Sequence, residues 1–264
     1  IFNIMDIKTY DLQPMISRVG GKTKIANQII SLMPDHKTYA EVFVGGGSVY
    51  FRKPLVEVNV INDKDKDIID IYRDMREVGL DTKKMKFKAS RHSFEKLKKE
   101  KKFVSKKERL FRNIYLSKFS YAGNRQSYWG EKESVRKVGT QHGEVIKRNA
   151  ERYIAKLKKT HILNKDFSKV IQEYDSPDTL FYLDPPYSPK VSRWGYNVPH
   201  VSPEEVYKAV KNIKGKFILS YDNSEIIRKT FKNFHIKKIK TTYELSGTRQ
   251  PDVTELLISN FKLK

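Results

Sequence analysis

Two periods govern the hydrophobic positions along this chain. Tyr39 to Val44 is a short apolar run that ends in Gly45-Gly46-Gly47, and Leu55 to Ile61 alternates before Asn62-Asp63. Each predicts a strand closed by a tight turn. From Asp65 to Val78 the apolar residues Ile68, Ile69, Ile71, Tyr72 and Met75 fall near helical spacing instead. Further strands are predicted at 160–164, 179–183, 216–221, 234–243 and 254–260, with a helix from Pro203 to Ile213 opened by Ser202 as N-cap. Strands alternating with helices imply an α/β domain with a largely parallel sheet, whose ligands sit at the carboxyl ends of the strands.

Between the two halves the composition changes. Residues 81–110 hold eleven Lys and two Arg against one Asp and three Glu. Such a run alone also reads as a solvated helical face. Here it adjoins "LFRNIYLSKFSYAGNRQSYWG", residues 110–130, where aromatic rings mix with Arg112, Lys118, Asn124 and Arg125. Basic and aromatic residues interleaved suit gripping phosphates and contacting bases. Residues 72–150 are therefore expected to form an insert between catalytic segments 1–71 and 151–264.

The whole chain, 264 residues with 53 Lys plus Arg against 31 Asp plus Glu, carries +22 and favours a polyanionic partner. Cysteine is absent, so disulfides, thiolate zinc sites and cysteine nucleophiles are excluded, and the scattered histidines predict no metal site. Apolar runs fall far short of the roughly 20 residues of a membrane span, so no membrane partner is expected.

The candidate chemistry centres on "FYLDPPYSP", residues 181–189. A residue before proline is held extended, which keeps Asp184 at the strand tip. Its carboxylate beside the Pro185 carbonyl makes an acceptor pair suited to an exocyclic NH2 group, and Tyr187 offers a face on which a base stacks. Asp-Pro-Pro-Tyr by itself reads equally as a rigid loop. "EVFVGGGSVYF", residues 41–51, puts three glycines after a strand, where backbone approaches a cofactor closely, although it also reads as a plain turn. Asp63 ends the next strand, where an acid commonly binds a ribose. "RVGGKTK", residues 18–24, lacks the leading glycine of a phosphate loop because Ile16 occupies that place.

The ordered set Gly20-Gly21-Lys22, Phe43 to Gly47, Asn62-Asp63, basic insert, Asp166-Phe167 and Asp184-Pro185-Pro186-Tyr187 resembles the Dam-like N6-adenine DNA methyltransferases, the D12 class, over about residues 14–260. The resemblance implies a Rossmann-like S-adenosylmethionine-dependent methyltransferase sheet with helices on both faces, plus an inserted target-recognition domain. It implies a cofactor site lined by Arg18, Gly21, Lys22, Phe43, Gly45, Gly46, Gly47, Ser48, Asn62, Asp63, Asp166, Phe167 and Asp184. Lys22 and the loop from Phe43 to Ser48 would hold the methionine end, Asp63 the ribose, and Asp166 with Phe167 the adenine ring. Arg18 stands where many members carry an aromatic residue. Lys98, Lys101, Lys102, Arg112, Lys118, Tyr121, Asn124 and Arg125 are the expected DNA contacts, although the hairpin has one residue fewer between Gly123 and Arg125 than the family pattern.

The same resemblance implies methyl transfer to N6 of a flipped adenine in duplex DNA, with Asp184, Pro185, Pro186 and Tyr187 as the catalytic tetrad. A cognate restriction endonuclease, a monomer or weak dimer, and an intracellular setting in cytoplasm or nucleoid complete the expectation. Cytosine-C5 methylation needs a cysteine and is excluded. Cytosine-N4 or RNA base methylation stays open, as does an inactive nucleic-acid-binding relative of the same fold.

Overall fold

The computed structural model describes residues 10–18, 20–81, 85–100, 102, 105–186, 201–245 and 248–264. Seven strands form one sheet: β1 (Thr38–Glu41), β2 (Val58–Asn62), β3 (His161–Leu163), β4 (Thr179–Leu183), β5 (Lys216–Asp222), β6 (His235–Leu245) and β7 (Thr248–Ser259). Their spatial order is β3-β2-β1-β4-β5-β7-β6. The first five are mutually parallel, while β7 runs antiparallel to both β5 and β6. The order reverses between β1 and β4, which makes the carboxyl ends of those two strands the place for a ligand.

Helices cover both faces, so the central strands do not alternate with water. All five residues of β4 are buried. Leu180 and Tyr182 join one apolar cluster and Phe181 and Leu183 the other, as the two-residue period of a strand requires. The first face is packed by α1 (Ala26–Ser31), α2 (Lys66–Val78) and, further out, α3 (Arg91–Lys99), α4 (Lys106–Phe119), α5 (Glu133–Arg148) and α6 (Ala150–Lys158). The second is packed by α7 (Phe167–Tyr174), α8 (Pro203–Val210) and α9 (Glu225–Thr230). Ser202 caps α8 as expected: its hydroxyl accepts from Glu205 N at 3.2 Å while Glu205 accepts from Ser202 N at 2.7 Å.

Helix α2 runs unbroken through residue 72, where the insert was expected to begin. Phe87, Phe94, Leu110, Ile114 and Phe119 lie in the same buried cluster as Ile61 and Ile68, so residues 72–150 share their apolar core with the sheet's first face. Arg109 reinforces the seam, donating to both carboxylate oxygens of Asp74 at 2.7 Å.

Beneath the first face lies a buried polar network. Glu41, 3 % exposed, accepts from the Tyr39 hydroxyl at 2.7 Å, and burial pushes its carboxyl up to about 8. Lys156, wholly buried, donates to Lys53 O at 2.5 Å, and burial lowers its amine to about 7. Because the folded pKa of Glu41 is raised, its stabilising share is fully present below the unfolded value near 4.5 and is lost as pH rises through about 8. The depressed amines of Lys53 and Lys156 act in the opposite sense as pH rises, so the Glu41 share shows only as a difference between proteins. Urea titrations at pH 6 and pH 9 should show Glu41→Gln gaining on the native chain as pH rises, by on the order of 1–3 kcal/mol. A pH-independent gap would mean that Glu41 is already ionised in the fold.

Candidate active site

Parallel pairing decides what meets at the sheet's carboxyl edge. Glu41 of β1 registers with Tyr182 of β4, so the glycine loop after β1 and Asp184 after β4 leave the sheet side by side. On the other flank Glu41 registers with Ile61 of β2, which delivers Asn62 and Asp63, and β3 delivers Asp166 and Phe167 at the start of α7. These ends surround a cavity of about 740 Å³ whose lining includes Lys22, Phe43, Gly45, Asp63, Asp166, Phe167, Asp184, Pro185 and Pro186. Tyr187 and Lys101 lie outside the described residues.

The glycine loop needs glycine for two different reasons. Gly45 has φ +47° and an added Cβ would meet nothing within 4 Å, so it borders open space. Gly47, at φ +72°, is hemmed in: a Cβ would fall 2.7 Å from the Phe51 ring. Both hold left-handed backbone that favours glycine; Gly47 is also packed against the Phe51 ring, whereas Gly45 faces the cavity. Asp63 fastens this loop, its Oδ2 accepting from Gly45 N and its Oδ1 from Asp65 N, both at 2.9 Å. Burial raises its pKa against the opposing pull of Arg18 and these two amides. Asn62 spends its side chain on the main chain, donating to Val42 O at 3.0 Å and Lys165 O at 3.2 Å and accepting from Lys165 N at 2.9 Å. It stitches β2 to the turn after β3. Phe43 and Phe167 pack with ring centroids 5.0 Å apart, and Asp166 caps α7 by accepting from Ser168 N at 3.0 Å. Ser48, mostly buried, meets the Thr23 hydroxyl at 3.1 Å and lies 3.7 Å from where a Cβ on Gly21 would stand. Gly46 packs tightly too, an added Cβ falling 2.9 Å from Ile16 O.

Lys22 carries its ammonium to a position 3 % exposed, donating to Gly20 O at 2.7 Å and Asp184 Oδ1 at 2.9 Å. Glu255 Oε1 on β7 lies 3.6 Å away. Burial alone would lower the lysine pKa, but Asp184 and Glu255 outweigh it and the result is raised. Glu255 and Glu41 were missed from sequence. For Glu255 the one signal was an acid set directly against the apolar run Leu256-Leu257-Ile258.

The expected DNA contacts separate in the structure. Lys98 and Lys102 are at least partly exposed, Lys98 also donating to Gln126 O at 2.9 Å. Arg112 instead clasps α3, donating to Leu97 O at 2.8 Å and Lys98 O at 3.3 Å. Lys118 points inward, 6 % exposed, with Pro14 O at 3.4 Å, and burial lowers its amine to about 7. Residues 120–128 do form a hairpin, closed by a Ser120–Tyr128 bridge and seated so tightly that a Cβ on Gly123 would fall 2.2 Å from Ser17 O. Tyr121 packs edge-on against Trp129, and Asn124 Oδ1 accepts from Gln126 N and Ser127 N to hold the tip. Arg125 turns back toward α2, its guanidinium 3.6 Å from both Asp65 and Asp67. Arg18 pairs with Asp65 as well, an ion-pair role in place of the aromatic that many members of the resembling family carry there.

The family model of the D12 class N6 adenine-specific DNA methyltransferases matches residues 19–245. The type II methyltransferase M.MjaIII of Methanocaldococcus jannaschii is 25 % identical across 95 % of this chain and 100 % of its own. The type II methyltransferase M1.LlaDCHI of Lactococcus lactis subsp. cremoris is 23 % identical across 98 % and 99 %. The type II methyltransferase M.CviBI of Paramecium bursaria Chlorella virus NC1A is 25 % identical across 95 % and 100 %. With the motifs in family order around one cavity and the family model spanning most of its length, this chain belongs to the D12 class of N6 adenine-specific DNA methyltransferases.

Proposed function

We propose that the protein transfers a methyl group from S-adenosylmethionine to N6 of an adenine flipped out of duplex DNA at a specific site. The observation that carries this reading is the sharing of one cavity by Asp184-Pro185-Pro186, the glycine loop, Asp63 and Asp166-Phe167. The lining suits the cofactor: open space beside Gly45, a half-buried acid at a strand end for hydroxyls, and an aromatic edge at Phe43 and Phe167. Lys22 and the loop from Phe43 to Ser48 would hold the methionine end, Asp63 the ribose, and Asp166 with Phe167 the adenine. When bound, the cofactor supplies an electrophilic methyl group on sulfur.

The chain's own task is alignment. An adenine amine is a poor nucleophile because its lone pair is delocalised into the ring. The Asp184 carboxylate and the Pro185 carbonyl accept its two N–H groups, favour a pyramidal nitrogen and aim the lone pair for in-line displacement. Asp184 need not remove a proton beforehand, since the methylated amine loses one readily afterwards. Tyr187 stacks on the flipped base, which cannot be reached inside a duplex. The exposed lysines of α3 and the turn after it neutralise phosphates. Arg125 joins base reading only by leaving Asp65 and Asp67. The type II names of the relatives favour a cognate restriction endonuclease.

Three measurements check this reading. Radiolabelled methyl transfer to duplex DNA should be abolished in Asp184→Ala while the protein still folds and binds DNA; near-native turnover removes the central assignment. In calorimetry with S-adenosylhomocysteine, Gly45→Val and Asp63→Ala should each lose about tenfold or more in affinity, through space filled beside the cofactor and broken hydrogen bonds. Unchanged affinity in both would reduce the loop to a structural turn. Finally, Lys96, Lys99 and Lys102 changed together to Gln should weaken binding to every duplex alike. The slope of log K against log salt should flatten by roughly 0.9 for each phosphate no longer neutralised. A loss confined to one DNA sequence would assign these lysines to base reading.

A further inference from the structure

We propose that Glu255 is a positioning residue for methyl transfer: it shares the Lys22 ammonium with Asp184 and so leaves Asp184 able to accept from the target amine. The proposal rests on the proposed function, in which Asp184 is that acceptor.

The geometry is a single buried cation between two acids from distant parts of the chain. Lys22 arrives on the Gly-Gly-Lys turn, Asp184 on the end of β4, and Glu255 on β7, where it registers with Asp222 of β5. Glu255 is 2 % exposed. Its Oε2 accepts from the Ser220 hydroxyl at 3.3 Å, while its Oε1 has no hydrogen-bonding partner among the described residues and faces Lys22 at 3.6 Å. The groups facing this acid are therefore Lys22 from the glycine turn, Asp184 and the Tyr182 hydroxyl from β4, and, from β5, Ser220 and the Glu255 register partner Asp222. Ile239, its register partner on β6, is apolar. Glu41 also couples to Asp184, but with its carboxyl pushed up to about 8 it is protonated at neutral pH and adds little negative charge there.

An unpaired acid buried this deeply is costly unless a cation answers it, and an ammonium given wholly to Asp184 would draw density from the carboxylate that must accept N–H. Dividing the ammonium between two carboxylates meets both demands. Burial pushes Glu255 up to about 7, so its charge changes across neutral pH. Once protonated it abandons Lys22 to Asp184, and the carboxylate becomes a weaker acceptor. Methyl transfer should then fall as pH drops below about 7.

The test is the single-turnover methylation rate on duplex DNA between pH 6 and pH 8.5, which keeps product release from masking the chemistry. The native protein should show an acid limb centred near pH 7. Glu255→Gln keeps size and an acceptor for Ser220 but not the charge. It should be slower by about tenfold at pH 8, converge with the native rate at pH 6, and bind cofactor and DNA within about threefold of native. Glu255→Asp, which retains the charge, should recover part of the rate at pH 8. A native profile that is flat across this range overturns the proposal without any variant. So does a native rate in Glu255→Gln at pH 8, or an equal loss at every pH, which is the signature of misfolding rather than charge. Asp184→Ala run alongside separates the two levels: if it stays active the methyl-acceptor reading itself has failed, whereas an inactive Asp184→Ala beside a fully active Glu255→Gln sinks only the role of Glu255.

Discussion

Lys22 places a full positive charge where almost no water reaches it, and two remote segments must be held in position to answer that charge. Gly20 O, Asp184 Oδ1 and Glu255 Oε1 lie 2.7, 2.9 and 3.6 Å from its nitrogen. Losing the ammonium from such a buried set typically costs about 3–5 kcal/mol, because it strands the acids in a medium that cannot solvate them. The turn at residues 20–22, the end of β4 and the middle of β7 are thus bound to one point. That point is also the wall of the cavity in which the Asp-Pro-Pro element stands.

The sheet explains why these segments converge. β1 and β4 lie side by side and parallel at the place where strand order reverses, so loops from both open in the same direction. β7, inserted antiparallel between β5 and β6, brings a residue from near the chain's end back toward that opening. A second tier of polar contacts joins this frame to the hairpin of residues 120–128. Arg18 and Arg125 both approach Asp65, whose backbone N–H is held by Asp63. The acid at the end of β2 is therefore one hydrogen bond removed from the segment assigned to DNA recognition.

Charges in the interior are arranged by purpose. Exposed lysines of α3 and the following turn stand where phosphates can reach them, while Lys22, Lys118 and Lys156 are buried. Of these three, Lys22 alone has its pKa raised, because it faces two carboxylates; Lys118 and Lys156 are brought down to about 7 by burial.

The sequence by itself determined the elements whose signals are local. Strand β4 occupies 179–183 as its apolar run predicts, Ser202 caps α8, and the ordered glycine, acid and Asp-Pro-Pro motifs fall at strand ends, because period, proline and glycine act within a few residues of themselves. Tertiary structure alone decided what depends on partners far along the chain. It made β6 and β7 an antiparallel pair, merged residues 72–150 with the core of the sheet's first face, and turned Arg125 toward Asp65 and Asp67. It also separated two nearby glycines, Gly45 held by its left-handed backbone alone and Gly47 by the Phe51 ring as well. Glu255 shows the limit best: in its own strand it is an acid set against an apolar run, and only the fold, by burying Lys22 beside it, gives that charge something to answer.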